Sequence, residues 1–308
     1  MSIHLFLIRR ALNALLVLLA LSVLVFSILH LVPGDPAVTL AGMGASETDI
    51  AVLRGKLGLD QPIWVQYGRW LFGVVQGDWG RSIVSQEAVL PLLIERFRMT
   101  LLLATAGIAL ATVFGVFLGV NAALRANKPS DVMLSVIALA GVSAPIFWIG
   151  LILQLFFAIH LGILPATGSG SIAYLVLPAI AIAGNSVGII MRMTRSSMIE
   201  VLNQDFVRTA RAKGLSQRQV VYKHALRNAF IPVLTVSGVQ FAYLMGGAVL
   251  IETVFLWPGI GKLLADSVFR RDFPVVQGAI LMIGFFFVLV NTLVDFAYSL
   301  VDPRIRLN

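Results

Sequence analysis

Residues 205–232 read DFVRTARAKGLSQRQVVYKHALRNAFIP, a strongly basic interval between two apolar blocks that decides how the chain is laid out. The spacing predicts two short helices hinged at Gly214. Phe206, Ala210 and Lys213 recur at helical spacing, and Gly214 suits the left-handed residue that closes such a helix. Ser216 with Gln219 three residues later is a capping-box signature for the second helix. Val220, Val221, His224, Ala225 and Phe230 then form an apolar stripe, with Arg218, Lys223 and Arg227 on other faces. Pro232 is expected in the first turn of the span that follows, where proline is tolerated. A hinged amphipathic pair on one side of a bilayer is a place for something to dock.

The apolar blocks on either side set the class. Hydrophobic residues make up 58% of the 308, charged residues 12%, and the mean hydropathy is +0.92. This is the composition of an all-α polytopic membrane protein. The net charge of +8 is distributed between apolar blocks, which is a topology signal, not a nucleic-acid footprint. With no cysteine there is no disulfide scaffold and no thiolate metal site. Arg9 and Arg10 precede an apolar run too long for the core of a cleaved leader, so a retained first span is expected.

Six spans of sufficient length are expected near 10–31, 99–124, 133–160, 173–194, 231–256 and 276–300, within one transmembrane domain covering 1–308. Pro145, flanked by Gly141 and Gly150, predicts a kink or break in the third. Lys and Arg concentrate in the segments that would be cytoplasmic with the N-terminus inside, including Arg9, Arg10, Arg125, Lys128, Arg192 and the whole 195–230 loop. Both termini are therefore expected in the cytoplasm. The outer loop 32–98 is too long for a mere connection. Ser46 with Asp49 predicts a capped helix through Ile50, Leu53 and Leu57 stopped by Gly58, and Pro62 starts another that ends near Gly77. Trp64, Trp70 and Trp79 would sit near the headgroups, as part of either a surface ornament or a docking surface.

Catalytic chemistry finds little support. The four histidines, His4, His30, His160 and His224, are scattered, and no H-E-x-x-H or nucleotide-binding G-x-x-x-x-G-K-[ST] occurs. Gly168-Ser169-Gly170 reads as a flexible turn without a base beside it. Gly115-x-x-x-Gly119 and Gly246-Gly247 allow close helix approach, and Gly246-Gly247 is also a candidate gate. Asp295, with Asn291 one turn before it, is a buried acid suited to pairing or a water-lined position; Glu252 falls near an outer end. Gln154, Asn185 and Gln240 fit either a cavity or helix-to-helix hydrogen bonds. A basic loop that merely attracts anionic lipid remains an open alternative, as do an ion-coupled carrier and an intramembrane enzyme.

Arg208-Thr209-Ala210, three residues and Gly214 resemble the E-A-A…G signature of permeases in binding-protein-dependent ABC importers, with Arg208 where the signature has glutamate. Almost the whole chain resembles the B-type permease of the dipeptide/oligopeptide/nickel group. The resemblance is carried by Val32-Pro33-Gly34-Asp35-Pro36, Gly77-Asp78-Trp79-Gly80-Arg81-Ser82, Leu164-Pro165, Arg192 with Arg195-Ser196, Trp257-Pro258-Gly259-Ile260-Gly261, Arg271-Asp272-Phe273-Pro274 and Asp302-Pro303-Arg304. It implies a type I importer fold in the bacterial inner membrane and a pore-forming role in importing di- or oligopeptides or glutathione, with nickel or opines as the alternative. It also implies a homologous second permease, two cytoplasmic ATPases that bind ATP and Mg²⁺, an outer solute-binding protein, surrounding lipid and no nucleic acid; this chain would hold no cofactor. By the same resemblance Phe206, Arg208, Thr209, Ala210, Arg211, Ala212, Lys213, Gly214 and Leu215 would couple to an ATPase. Gln240, Gly246, Gly247, Asn291 and Asp295 are pore or gate candidates.

Overall fold

The computed structural model describes residues 3–31, 37–38 and 46–301. They form helices and one isolated antiparallel bridge, Arg81 to Ala88. Five helices are long and apolar enough to cross a membrane, or six if one bent pair counts as a single span. The expected stretches Val32 to Pro36 and Asp302 to Arg304 lie outside the described residues.

Helix α1 spans Ile3–Leu31. Residues 46–77 then form the two helices expected there. Helix α2, Glu47–Leu57, starts on the Ser46/Asp49 capping box and stops at Gly58, whose φ of +66° is left-handed. Helix α3, Ile63–Gln76, starts after Pro62 and stops at Gly77. It packs on α1 through aromatic contacts of Phe26 with Tyr67 and Trp70, and through a 2.8 Å hydrogen bond between Ser22 and Tyr67.

Helix α4, Val89–Leu124, begins ten residues before the expected span and runs alongside α7, Ile172–Leu202, for much of its length. Small residues make this possible. A Cβ on Gly115 would fall 2.8 Å from Ile190, and one on Gly119 would fall 2.6 Å from the Thr194 Cβ, so the backbones approach as the Gly-x-x-x-Gly spacing predicts.

The third expected span, 133–160, is not one helix. Helix α5, Pro129–Ser143, and α6, Ile146–Leu153, with its π-helical continuation Gln154–His160, meet at 102°. Pro145 causes the break, because the residue before a proline is pushed out of the helical region; Ala144 has ψ 135°. Both arms are fastened. Asp131 in the first turn of α5 accepts two hydrogen bonds from the Arg195 guanidinium of α7, at 2.6 and 2.7 Å. At the other end Gln154 donates to the carbonyls of Ala166 and Val254.

Helix α8, Asp205–Ala212, is short and is followed by a π-helical stretch, Gln219–Ala225, that runs directly into α9, Leu226–Val254. Helices α10, Ile260–Phe269, and α11, Phe273–Val301, complete the chain. The main core joins α4, α7, α9, α10 and α11 around Leu103, Ile182, Leu244, Ile251, Phe255 and Ile260.

Candidate functional site

The hairpin over 205–225 is built by two local motifs. Helix α8 starts at extended Gln204, with Asp205 in the first turn and Arg211 in the last, each charge complementing the helix dipole. It closes in a Schellman motif. Gly214 N–H donates to Arg211 O, Leu215 N–H donates to Ala210 O, and Gly214 takes φ +76°. Ser216 then caps the next helix, donating its own N–H to Gln219 Oε1 at 3.1 Å and accepting from Gln219 N–H at 3.4 Å. Both turns predicted from sequence are present.

The second predicted helix is not separate. The turn after Ser216 is the beginning of α9 through its π-helical segment, so Pro232 lies inside a continuous helix and not in a first turn. The apolar stripe is also used differently from the docking role expected of it. Val220, Val221 and Ala225 are buried with Val207, Ala210 and Ala229 against Val120, Ala123, Met198 and Val201 of α4 and α7. That face is covered by the chain itself; His224 and Phe230 are only half-buried.

What remains for a partner is the outward face of α8. Phe206, Arg208, Thr209, Arg211, Ala212, Lys213 and Gly214 are exposed, Leu215 is half-buried, and Ala210 is buried. The predicted alignment of Phe206 with Ala210 therefore splits: Val207 joins Ala210 in the core and Phe206 turns outward, 38% exposed. Thr209 Oγ1 donates back to Asp205 O at 3.0 Å. Arg208 lies 3.6 Å from Asp205 in a pair whose side chains are 75% and 96% exposed, too open to water to fix Arg208 in place. A Cβ on Gly214 would meet nothing within 4 Å, so its backbone conformation alone calls for glycine.

The pore and gate candidates are not gathered in one place. Gln240 is buried and donates to Ser186 Oγ at 3.1 Å, which ties α9 to α7. Asn185 donates to Val142 O in the same way. Gly246 is exposed with nothing within 4 Å of an added Cβ, so the close approach expected there does not occur within this chain. Asn291 Nδ2 bonds Phe287 O in its own helix. The burial of Gly247 and the side chain of Asp295 lie outside the described residues.

The end opposite the hairpin holds what sequence reasoning missed. Glu252, expected among outer segments, is fully buried. Its carboxylate accepts from Thr100 Oγ1 and from the Lys262 N–H at 2.8 Å, and Gly259 and Gly261 lie directly against it. Trp257 Nε1 donates to Met99 O. The Trp257-Pro258-Gly259-Ile260-Gly261 stretch is thus a turn leading into the first residues of α10, folded around one acid. Likewise Asp272 accepts from Ser82 Oγ and, at 3.0 Å, from the Ile83 N–H, joining two motifs that lie far apart in the chain. The adjacency of Glu252 to a glycine-rich loop was the available signal; its distant partners were not.

Comparison with known proteins bears on this arrangement. Residues 89–307 match the family described as binding-protein-dependent transport system inner membrane component, and residues 3–104 match its N-terminal model. The glutathione transport system permease protein GsiC of Salmonella paratyphi A is 43% identical over 301 residues, 98% of both chains. Its counterpart in Escherichia coli K12 is 42% identical over the same share. A solved amino acid ABC transporter shares the fold, with a TM-score of 0.54 at 16% identity, covering 68% of this chain and 94% of that one. This chain, with its apolar helices, therefore belongs to the family of multi-pass inner-membrane components of binding-protein-dependent transport systems.

Proposed function

We propose that the chain is the pore-forming permease subunit of an ABC importer for short peptides of the glutathione or dipeptide kind. In this reading it works with a homologous second permease, two cytoplasmic ATPases and an outer solute-binding protein, with both termini in the cytoplasm. The observation that carries it is the division of labour in the inner hairpin. One face is packed on the ends of α4 and α7, while the other presents Phe206, Arg208, Arg211 and Lys213 outward. A helix so mounted passes a push from a docked protein to two of the longest spans.

ATP with Mg²⁺, bound by the partner subunits, supplies the driving force, and this chain supplies the lever and the path. A nucleotide shifts the conformational balance only through its differential affinity for the two states of the assembly. The rigid Schellman closure at Gly214 keeps α8 from melting under that load. The test is uptake in proteoliposomes holding the whole assembly, with glutathione and dipeptides as probes. Uptake is expected to require ATP inside and the binding protein outside. Full-rate transport by this chain alone, without nucleotide or partners, would overturn the reading in favour of an ion-coupled carrier.

A further inference from the structure

At the end opposite the hairpin, a cleft of about 430 Å³ opens between the 82–87 turn, the start of α4, and the Leu256–Asp272 segment. Its volume is in the range of about 300 to 1,000 Å³ usual for small-molecule sites. Two of its ion pairs or charge sites are already satisfied: Lys262 pairs with Asp266, and Asp272 is held by Ser82 and the Ile83 N–H. Three charges are not. Among the described residues Arg96 makes no hydrogen bond or ion pair, and its Nε is buried with no acceptor. The side chains of Arg270 and Glu87, on the same lining, likewise have no described partner.

A guanidinium nitrogen taken from water without an acceptor is costly, and a planar guanidinium is matched best by a carboxylate. The cleft therefore presents one guanidinium whose buried Nε lacks an acceptor, and two water-exposed charges of opposite sign on Arg270 and Glu87, beside apolar Leu92, Leu263 and Val275. We propose that this cleft receives the carried peptide on the outer side, with Arg96 taking its C-terminal carboxylate, Arg270 the other carboxylate and Glu87 the ammonium. The substrate class that fits is a short peptide with two carboxylates and one amine, such as a γ-glutamyl tripeptide or an acidic dipeptide. The proposal rests on the peptide-import reading above and adds to it the residues that would select among peptides.

The experiment uses the whole reconstituted assembly, with glutathione and its glycyl monoethyl ester both at concentrations that saturate the binding protein. Arg96→Gln is expected to lower glutathione uptake about tenfold, the loss of one charge-assisted pair, while changing ester uptake less than about twofold. Glu87→Gln, an exposed change that leaves the fold alone, is expected to lower uptake of glutathione but not of N-acetylglutathione. No change in either variant, with wild-type uptake intact, overturns the proposal and leaves the importer reading standing. An equal fall for both probes, with weakened stimulation of ATP hydrolysis by the binding protein, assigns Arg96 to docking and also overturns it. Absence of peptide uptake by the wild-type assembly sinks the importer reading first and this proposal with it.

Discussion

The hairpin end and the opposite end of the molecule are held together by different means. At the hairpin end the hydrogen bonds that shape the hairpin join residues no more than five positions apart, as in Leu215 to Ala210 and Ser216 to Gln219. At the opposite end they join residues 152, 158 and 190 positions apart: Thr100 to Glu252, Met99 to Trp257, and Ser82 to Asp272. A locally closed hairpin keeps its shape while the helices beneath it move. A structure tied by distant contacts keeps its shape only while the spans that carry them stay in register. The hairpin is thus shaped by contacts within itself, and the opposite end by contacts between distant spans.

Substitutions that break this contrast are expected to separate by size. Glu252→Leu leaves the Thr100 hydroxyl and the Lys262 N–H buried without an acceptor, and should cost about 3 kcal/mol or more. Thermal unfolding of the detergent-purified chain checks this; an unchanged midpoint would mean the outer loops do not depend on that acid. Gly119→Leu forces side-chain atoms into Thr194 and the Met191 carbonyl, at a cost of about 2 kcal/mol, measured the same way. Gly214→Val strains a left-handed residue by about 1 kcal/mol in open space, so stability should change little. The larger consequence there should be functional, with ATP-driven peptide uptake lost while the chain still inserts and assembles. Arg208→Ala removes an exposed pair and should shift stability by about 0.3 kcal/mol, within error, while copurification of an ATPase shows whether its charge matters to the partner.

The same contrast explains what was legible in the sequence. Caps and turns are short-range, so Ser46 with Asp49, Gly58, Gly77, Gly214 and Ser216 with Gln219 were all readable from neighbouring residues. Hydropathy gave the spans, and Gly115-x-x-x-Gly119 gave one packing face. The π-helical run before α9 was not readable, because Gln219 to Ala225 has no residue that forbids an ordinary helix; α4 and α7 decide how its apolar face is buried. Nor was the direction of Phe206, since a short helix can turn either of two adjacent apolar residues inward, and Val207 fills the available space. The acids at Glu252 and Asp272 were visible as residues but not as anchors, because their partners lie in other parts of the chain. The outer cleft is invisible for the same reason: Arg96 and Arg270 come together only when α4 meets α10.

The π-helical turn between hairpin and α9 has a consequence for the phase of the whole inner face. Such a turn holds an extra residue, and one residue of helix corresponds to about 100° of rotation. Deleting a single position from Gln219–Ala225 would remove that extra residue and restore ordinary winding, leaving the segments on either side nearly in phase. A deletion in the regular part of α9 would instead turn everything before it by about 100°, taking Val220 and Val221 out of the core. The bulge thus takes up one extra residue while the hairpin keeps its facing on α4 and α7.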